Sequence, residues 1–229
     1  MNEASSERPK QRPSDSPFIH FLEWGIAPHE GIRVLQADSH WYLFVLKHNG
    51  KTRVGVSGLM TRVLNVPHGA ETDCFGIRFA MGVFMPLLSG VNLVDNVTFL
   101  PEATSSSFWL HGSAWEFPAF ENAETFVNRL VREELLVRDH VIDSVLSDQT
   151  QHLSVSTVRR RFLRATGLTP GTVRRIERAR KAAGLLEQGL SILDTVHEAG
   201  YFDQPHLTRS LKHFIGQTPA QIAQTTQVT

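Results

Sequence analysis

The sequence predicts an α+β chain, with a β-rich N-terminal domain folded as a barrel or partial barrel and an all-α C-terminal half. Three observations predict it. Apolar residues between Phe18 and Phe79 follow strand-like runs broken by turn residues, from about Val137 they recur with a helical period, and the helical half repeats itself at an offset of 49 residues. Hydrophobic residues make up 41% of the 229, enough for a packed core. No run of about 18 apolar residues occurs, so no membrane span is expected.

Residues 1–17 carry Met1 and Ala4 as their only apolar side chains besides proline, and they are predicted to be a disordered tail. Without an apolar stretch they do not read as a signal peptide, which favours a cytoplasmic protein. The β-rich domain, read as regulatory or sensing, is expected over residues 18–136. Its first strands are predicted at 32–34, 41–46 and 54–56. Asn49-Gly50 lies between the last two as a type I′ hairpin signal, since both central residues of that turn need φ > 0. Residues 59–66 and 74–79 are further strand candidates. Phe84, Leu87 and Leu88 suggest a short helix despite Pro86. Asn122 is placed to cap a longer helix whose Phe126, Val127, Leu130, Val131 and Leu135 share one face. That stripe is read as core against the sheet, with a dimer or interdomain seam as the alternative.

The formal net charge is zero, but the two halves differ. Residues 1–136 hold 11 basic and 15 acidic side chains, whereas residues 137–229 hold 12 and 8. Residues 156–181 alone carry nine basic side chains against one acid, Glu177. Such asymmetry points to an acidic module joined to one that prefers polyanions.

In the helical half, residues 154–173 align with residues 203–222. Arg160, Gly167, Thr169 and Pro170 fall on Arg209, Gly216, Thr218 and Pro219, and the apolar Val158, Phe162 and Val173 fall on Leu207, Leu211 and Ile222. Ser154 and Asp203, both good N-caps, coincide. Each copy reads as a cap, a helix of about ten residues, a glycine stop, and a Thr-Pro that opens the next helix. Between the copies, Thr169-Pro170 begins a linker helix that runs to about Gln188 and is stopped by Gly189. It would be roughly 25–28 Å long. Ser191 and Asp194 have capping-box spacing ahead of a short helix that ends at Gly200. A short helix, a tight turn and a second helix form a helix-turn-helix unit, and the second copy shows it most clearly.

The second helix of such a unit enters the major groove, so one face must be apolar and the other must present hydrogen-bonding groups. In the first copy Val158, Phe162 and Ala165 share the buried face. Ser156, Arg160 and Arg164 lie opposite, flanked by Thr157 and Arg159. In the second copy Leu207, Leu211 and Phe214 are buried, leaving Gln204, His206, Thr208 and Arg209 for the groove. Arginine can bond guanine through two donors, while Gln, Thr and Ser are short polar readers. Arg174, Arg175, Arg178, Arg180 and Lys181 on the linker suit phosphate positioning, as do Thr157 and Arg164. The alternative for the arginine run is a solvated face on an ordinary bundle, and for His206 a core or tautomer-switching histidine. Pro205 is tolerated because it falls in the first turn.

At Arg160-Arg161-Phe162, Thr166-Gly167-Leu168-Thr169-Pro170, Gly200-Tyr201, Leu207-Thr208-Arg209 and Gly216-Gln217-Thr218-Pro219 the chain resembles the DNA-binding domain of the AraC/XylS transcription regulators. The resemblance spans about residues 141–222, within a helical domain taken as 137–229. It implies two helix-turn-helix units on a linker helix, with base contacts from Ser156, Arg159 and Arg160 and from Gln204, His206, Thr208 and Arg209. Val196 stands where the family usually has alanine. The first unit's supporting helix is polar at residues 147–151 and has no counterpart of Gly200, so its recognition helix is expected to be held less rigidly. Gly76-Ile77-Arg78-Phe79, Gly82 and Leu87-Leu88 are similar, more faintly, to the short domain that precedes this module in a subset of the family. The partners implied are double-stranded DNA, a small-molecule effector or a second copy of the chain at the N-terminal domain, and RNA polymerase.

Other chemistry finds little footing. No His-x-His pair occurs among the 11 histidines, and His68 with Glu71 does not make a metal site. The single cysteine, Cys74, is read as a small buried hydrophobe rather than a nucleophile. No phosphate-binding glycine loop is present. The expectation is therefore a sequence-specific DNA-binding regulator that needs no catalysis, cofactor or metal. The alternative is a protein-interaction or small-ligand-sequestering module with a degenerate DNA-binding half.

Overall fold

The computed structural model describes residues 10–147, 149 and 153–226. The chain runs β1 (Lys10–Pro13), β2 (Ile19–Ala27), β3 (Gly31–Leu35), β4 (Tyr42–His48), β5 (Lys51–Ser57), β6 (Leu64–His68), β7 (Thr72–Phe79) and β8 (Val83–Phe84). Then come α1 (Gly90–Leu93), β9 (Val97–Phe99), β10 (Glu102–Thr104), β11 (Ser107–Leu110), β12 (Ser113–Glu116), α2 (Ala123–Arg132) and β13 (Val137–Arg138). The rest is helical: α3 (His140–Leu146), α4 (Val155–Thr166), α5 (Pro170–Glu187), α6 (Ile192–Glu198), α7 (Gln204–Phe214) and α8 (Pro219–Thr226).

The main sheet has the order β1-β2-β7-β4-β5-β9, antiparallel throughout. It is open, with β1 and β9 at its edges, so the N-terminal region is β-rich as expected without a closed barrel. The β4–β5 hairpin turns at Asn49 and Gly50, whose φ values of 49° and 73° are those a type I′ turn requires. Alternation along the strands separates two faces. Leu22, Leu43, Val45, Val54, Val56, Phe75, Ile77 and Phe79 enter the core. The opposite face carries Tyr42 and Phe44, whose rings occupy the space beside Gly76 and Gly55 that a Cβ would fill. Tyr42 donates its hydroxyl proton to Glu23, which also pairs with Arg33 of β3 at 3.3 Å.

Several expectations change here. Within the stretch read as a disordered tail, Lys10–Pro13 is an edge strand, held where Arg12 reaches Glu124 of α2 at 2.7 Å; residues 1–9 lie outside the described residues. Phe84 does not start a helix, because β8 pairs with β13 and Met85 to Leu88 form a turn. Of residues 59–66, only the segment from Leu64 joins a strand, which pairs with β3. The α2 stripe does pack on the sheet through Phe126, Val127 and Leu130. Asn122 occupies the N-cap position but accepts from the Ala119 N–H instead of capping the helix.

The helical half follows its local signals. Ser154, Thr169, Ser191 and Asp203 each accept a hydrogen bond from a backbone N–H three residues on. Gly167, Gly189, Gly200 and Gly216 all have positive φ beyond the helix ends. Asp194 takes the hydroxyl proton of Ser191 at 2.6 Å, a variation on the expected capping box.

The core divides unexpectedly. One cluster joins the sheet, α2 and α3 to Phe162 and Ala165 of α4 and Val173 of α5. A second joins the rest of α5 to Val196, Leu207, Leu211, Phe214 and Ile222, and takes in Ala37 from the N-terminal half. The boundary read near Val137 therefore falls inside a continuous core.

Candidate nucleic-acid interface

The first recognition helix, α4, presents Ser156, Arg159, Arg160 and Arg164 to solvent, with Thr157 half-buried at its first turn. Its apolar residues Phe162 and Ala165 are buried. Arg161, also exposed, pairs with Asp139 at 2.9 Å. The polar residues 148, 150 and 151, which weakened the sequence reading of the supporting helix, lie outside the described residues.

The N-terminal half supplies contacts to the first unit that the sequence did not reveal. Trp41 Nε1 donates to the Ala165 carbonyl at 2.8 Å. Asp139 donates its backbone N–H to Gly82 at 2.9 Å, just before α3. Gly90 and Gly167 meet backbone to backbone, so that a Cβ on Gly167 would lie 2.5 Å from the Gly90 carbonyl oxygen. These tertiary contacts add to the support that the first unit's own short helix provides.

In the second unit, Gln204 and Arg209 are exposed on α7, and His206 and Thr208 are half-buried. The His206 ring meets Tyr201 edge to face at 5.1 Å. Thr208 donates its hydroxyl proton to the Gln204 carbonyl at 2.9 Å, so its oxygen lone pairs remain able to accept. Val196, the bulkier residue noted against the family pattern, is buried in the second core.

The linker's cations divide by direction. Arg175 is exposed and makes a 3.4 Å bond to Thr172. Arg174 donates to the Val145 carbonyl at the end of α3, at 2.6 Å. Lys181 donates to the Glu198 carbonyl at the end of α6, at 2.8 Å, and Arg178 reaches the Gly200 carbonyl at 3.4 Å while lying over the Tyr201 ring. These three cations therefore complement the negative ends of supporting helices while remaining at least partly accessible. Arg180, read with them as a phosphate contact, turns away. It donates to the Ala37 carbonyl at 3.0 Å and lies 3.7 Å from Asp38.

Arg175, Arg178, His206, Arg209 and His213 converge on a cleft of about 410 Å³ between α5 and α7, which Thr61 of the N-terminal half also lines. Arg164 and Arg161 instead line a groove with Arg138 and His140 beside β8. Ser156, Arg159 and Arg160 line neither and stand open on α4.

The largest omission from the sequence reading is the junction around residues 37–40. Ala37 donates to the Phe214 carbonyl at 2.8 Å, and Ser39 donates to Glu177 of α5. The Asp38 carboxylate accepts from the His40 N–H at 3.0 Å and from buried Arg78 at 2.7 Å. Burial opposes ionisation of Asp38, but the His40 contact and the Arg78 and Arg180 charges outweigh it and hold its pKa well below the usual carboxylate range. One signal was available: Arg78 interrupts the apolar run around Ile77 and Phe79, and a charge on such a strand needs a partner. Among the described residues no group of three or more His, Cys, Asp or Glu side chains could hold a metal ion.

Residues 149–225 match a family model described as a helix-turn-helix domain. Two solved structures align with most of the chain at low identity. The crystal structure of ToxT from Vibrio cholerae O395 is 8% identical over 91% of this chain and 98% of that one, with a TM-score of 0.45. A 1.65 Å structure of ToxT from Vibrio cholerae in a P21 form is 10% identical over 88% and 97%, with a TM-score of 0.42. No curated protein matches the chain. No helix among the described residues is long and apolar enough to cross a membrane.

Proposed function

We propose that the chain is a sequence-specific DNA-binding transcription regulator that reads two successive major-groove segments, one with α4 and one with α7. A single observation carries this reading. Both recognition helices bury their apolar faces while Arg159, Arg160, Gln204 and Arg209 remain exposed. Ser156, His206 and Thr208 complete the base-reading set. Thr157, Arg164, Arg174, Arg175, Arg178 and Lys181 position the phosphate backbone. The 18-residue linker spans roughly 27 Å, compatible with recognition elements about one helical turn apart on one side of a duplex. The N-terminal half modulates binding through the segment around Asp38, which touches both the linker and the end of α7.

Selection of bound sites from random duplexes tests the proposal. The expected result is a preferred sequence with two contacted segments, bound more weakly as salt rises because the cations displace condensed counterions. Arg160→Ala and Arg209→Ala should each cost about 1–3 kcal/mol and relax preference at one position, whereas Arg175→Ala should weaken all sequences alike. Retention of no sequence above random at about 0.15 M salt would leave the sequestering alternative in its place.

A further inference from the structure

The second recognition helix begins beside a large apolar side chain that the fold does not use. Phe202 directly precedes Asp203, the N-cap of α7, and is 91% exposed. An apolar residue at that position ordinarily packs on the fourth residue of the helix and fixes the entry of the chain. That residue here is Leu207, which is fully buried without contact from so exposed a ring. The structural use of Phe202 is therefore unfilled. The repeat places Leu153 at the same position before α4, 41% exposed, and Val155 at the start of α4 is 85% exposed. Both recognition helices thus hold apolar groups in water at their leading ends.

The neighbours of Phe202 decide what it meets. Asp203 turns its carboxylate into the helix to accept from the His206 N–H at 2.7 Å, while Gln204 and Arg209 point outward. Arg178 reaches the preceding Gly200. An apolar ring flanked by donors and cations suits a polyanion that exposes apolar groups between its phosphates. The leading residues of a recognition helix are those that meet base edges. In the major groove, the C5-methyl of thymine is the apolar mark on those edges.

We propose that Phe202 is a specificity-determining residue that recognises thymine through its C5-methyl group, an inference that rests on the DNA-binding reading above. Leu153 is its counterpart in the first unit.

The test uses the full chain and a duplex obtained by site selection, with each thymine replaced in turn by deoxyuridine, which removes the methyl and preserves pairing. One replacement under α7 should lower wild-type affinity about fourfold, the worth of one buried methyl group. Phe202→Ala should bind the parent duplex more weakly by at least as much and be indifferent to that replacement. Phe202→Leu should restore part of the sensitivity. Unchanged thermal melting would show that each variant folds. Specific wild-type binding indifferent to every replacement, or sensitivity retained in Phe202→Ala, overturns the role of Phe202 alone. Loss of self-association in Phe202→Ala with intact DNA binding overturns it in favour of a second copy. Absence of any sequence-specific wild-type binding overturns the DNA reading and this inference together.

Discussion

Ala37, in the N-terminal half, bridges the linker helix and the second helix-turn-helix unit: its N–H donates to the Phe214 carbonyl at 2.8 Å, and its carbonyl accepts from Arg180 of the linker at 3.0 Å. A residue with both backbone groups engaged this way positions the unit as a strand partner would. The neighbouring carboxylate strengthens the arrangement. Asp38 faces Arg78 from the sheet and Arg180 from the linker, so one charge addresses both halves of the chain.

Asp38→Ala is expected to destabilise the protein by about 2–3 kcal/mol, because Arg78 would remain buried without its counter-charge. The figure sits below that of a fully enclosed pair because the Asp38 side chain retains 25% exposure. Arg180→Ala leaves Asp38 with Arg78 and His40 and should cost about 1 kcal/mol. Urea denaturation at pH 7 measures both. Strictly additive losses in Asp38→Ala/Arg180→Ala would show that the two side chains do not interact.

The same junction predicts a pH response. His20, exposed at one side, stacks on His40 at 5.1 Å, and partial desolvation, followed by the His40 and Arg78 charges, lowers its pKa from the ordinary 6.5; Asp38 acts in the opposite direction and Arg180 in the same one. With the folded pKa lowered, the unfolded chain binds more protons, so this contribution to stability declines as pH falls below about 6.5. Asp38, with its pKa held down, adds stability that is present above its ordinary 3.8 and lost only in stronger acid. Melting temperatures between pH 7.5 and 5 should therefore fall less steeply in His20→Gln than in wild type. Parallel profiles would refute the assignment.

Two helix-stop glycines should respond differently to alanine. Gly200 has φ of 68° and open space where a Cβ would stand, so Gly200→Ala should cost about 1–2 kcal/mol from backbone conformation alone. Gly167 combines φ of 72° with the Gly90 carbonyl beside it, and Gly167→Ala should cost about 3 kcal/mol or more. Equal losses by chemical denaturation would count against the close contact.

Cys74 is predicted to be inert. Burial, which outweighs the favourable Arg33 charge, pushes its thiol pKa up to about 11, leaving little thiolate at neutral pH. A thiol-reactive chromophore at pH 8 should label the folded chain slowly and the urea-unfolded chain promptly. Rapid labelling of the folded protein would contradict the burial.

What was legible in the sequence was mostly local. The caps at Ser154, Thr169, Ser191 and Asp203 act within one turn, as do the glycine stops and the Asn49-Gly50 hairpin, and all were readable as residue types at fixed spacings. The sheet order was not, because β2 pairs with β7 across the chain and nothing in either strand names its partner. Phe84 misled for the same reason: its partner, Val137, lies far along the chain. The candidate groove faces emerged from helical periodicity. The linker cations did not separate by periodicity alone, since Arg178 and Arg180 are two residues apart yet one meets the end of α6 and the other the N-terminal half.

The bare backbone contact between Gly90 and Gly167 restricts how the molecule can move. No side chain lies between these two main chains to swing aside, so tilting α4 alone would drive one polypeptide into the other. Any reorientation of α4 must carry α1 with it as one piece, in the manner of a hinge leaf bolted to its plate.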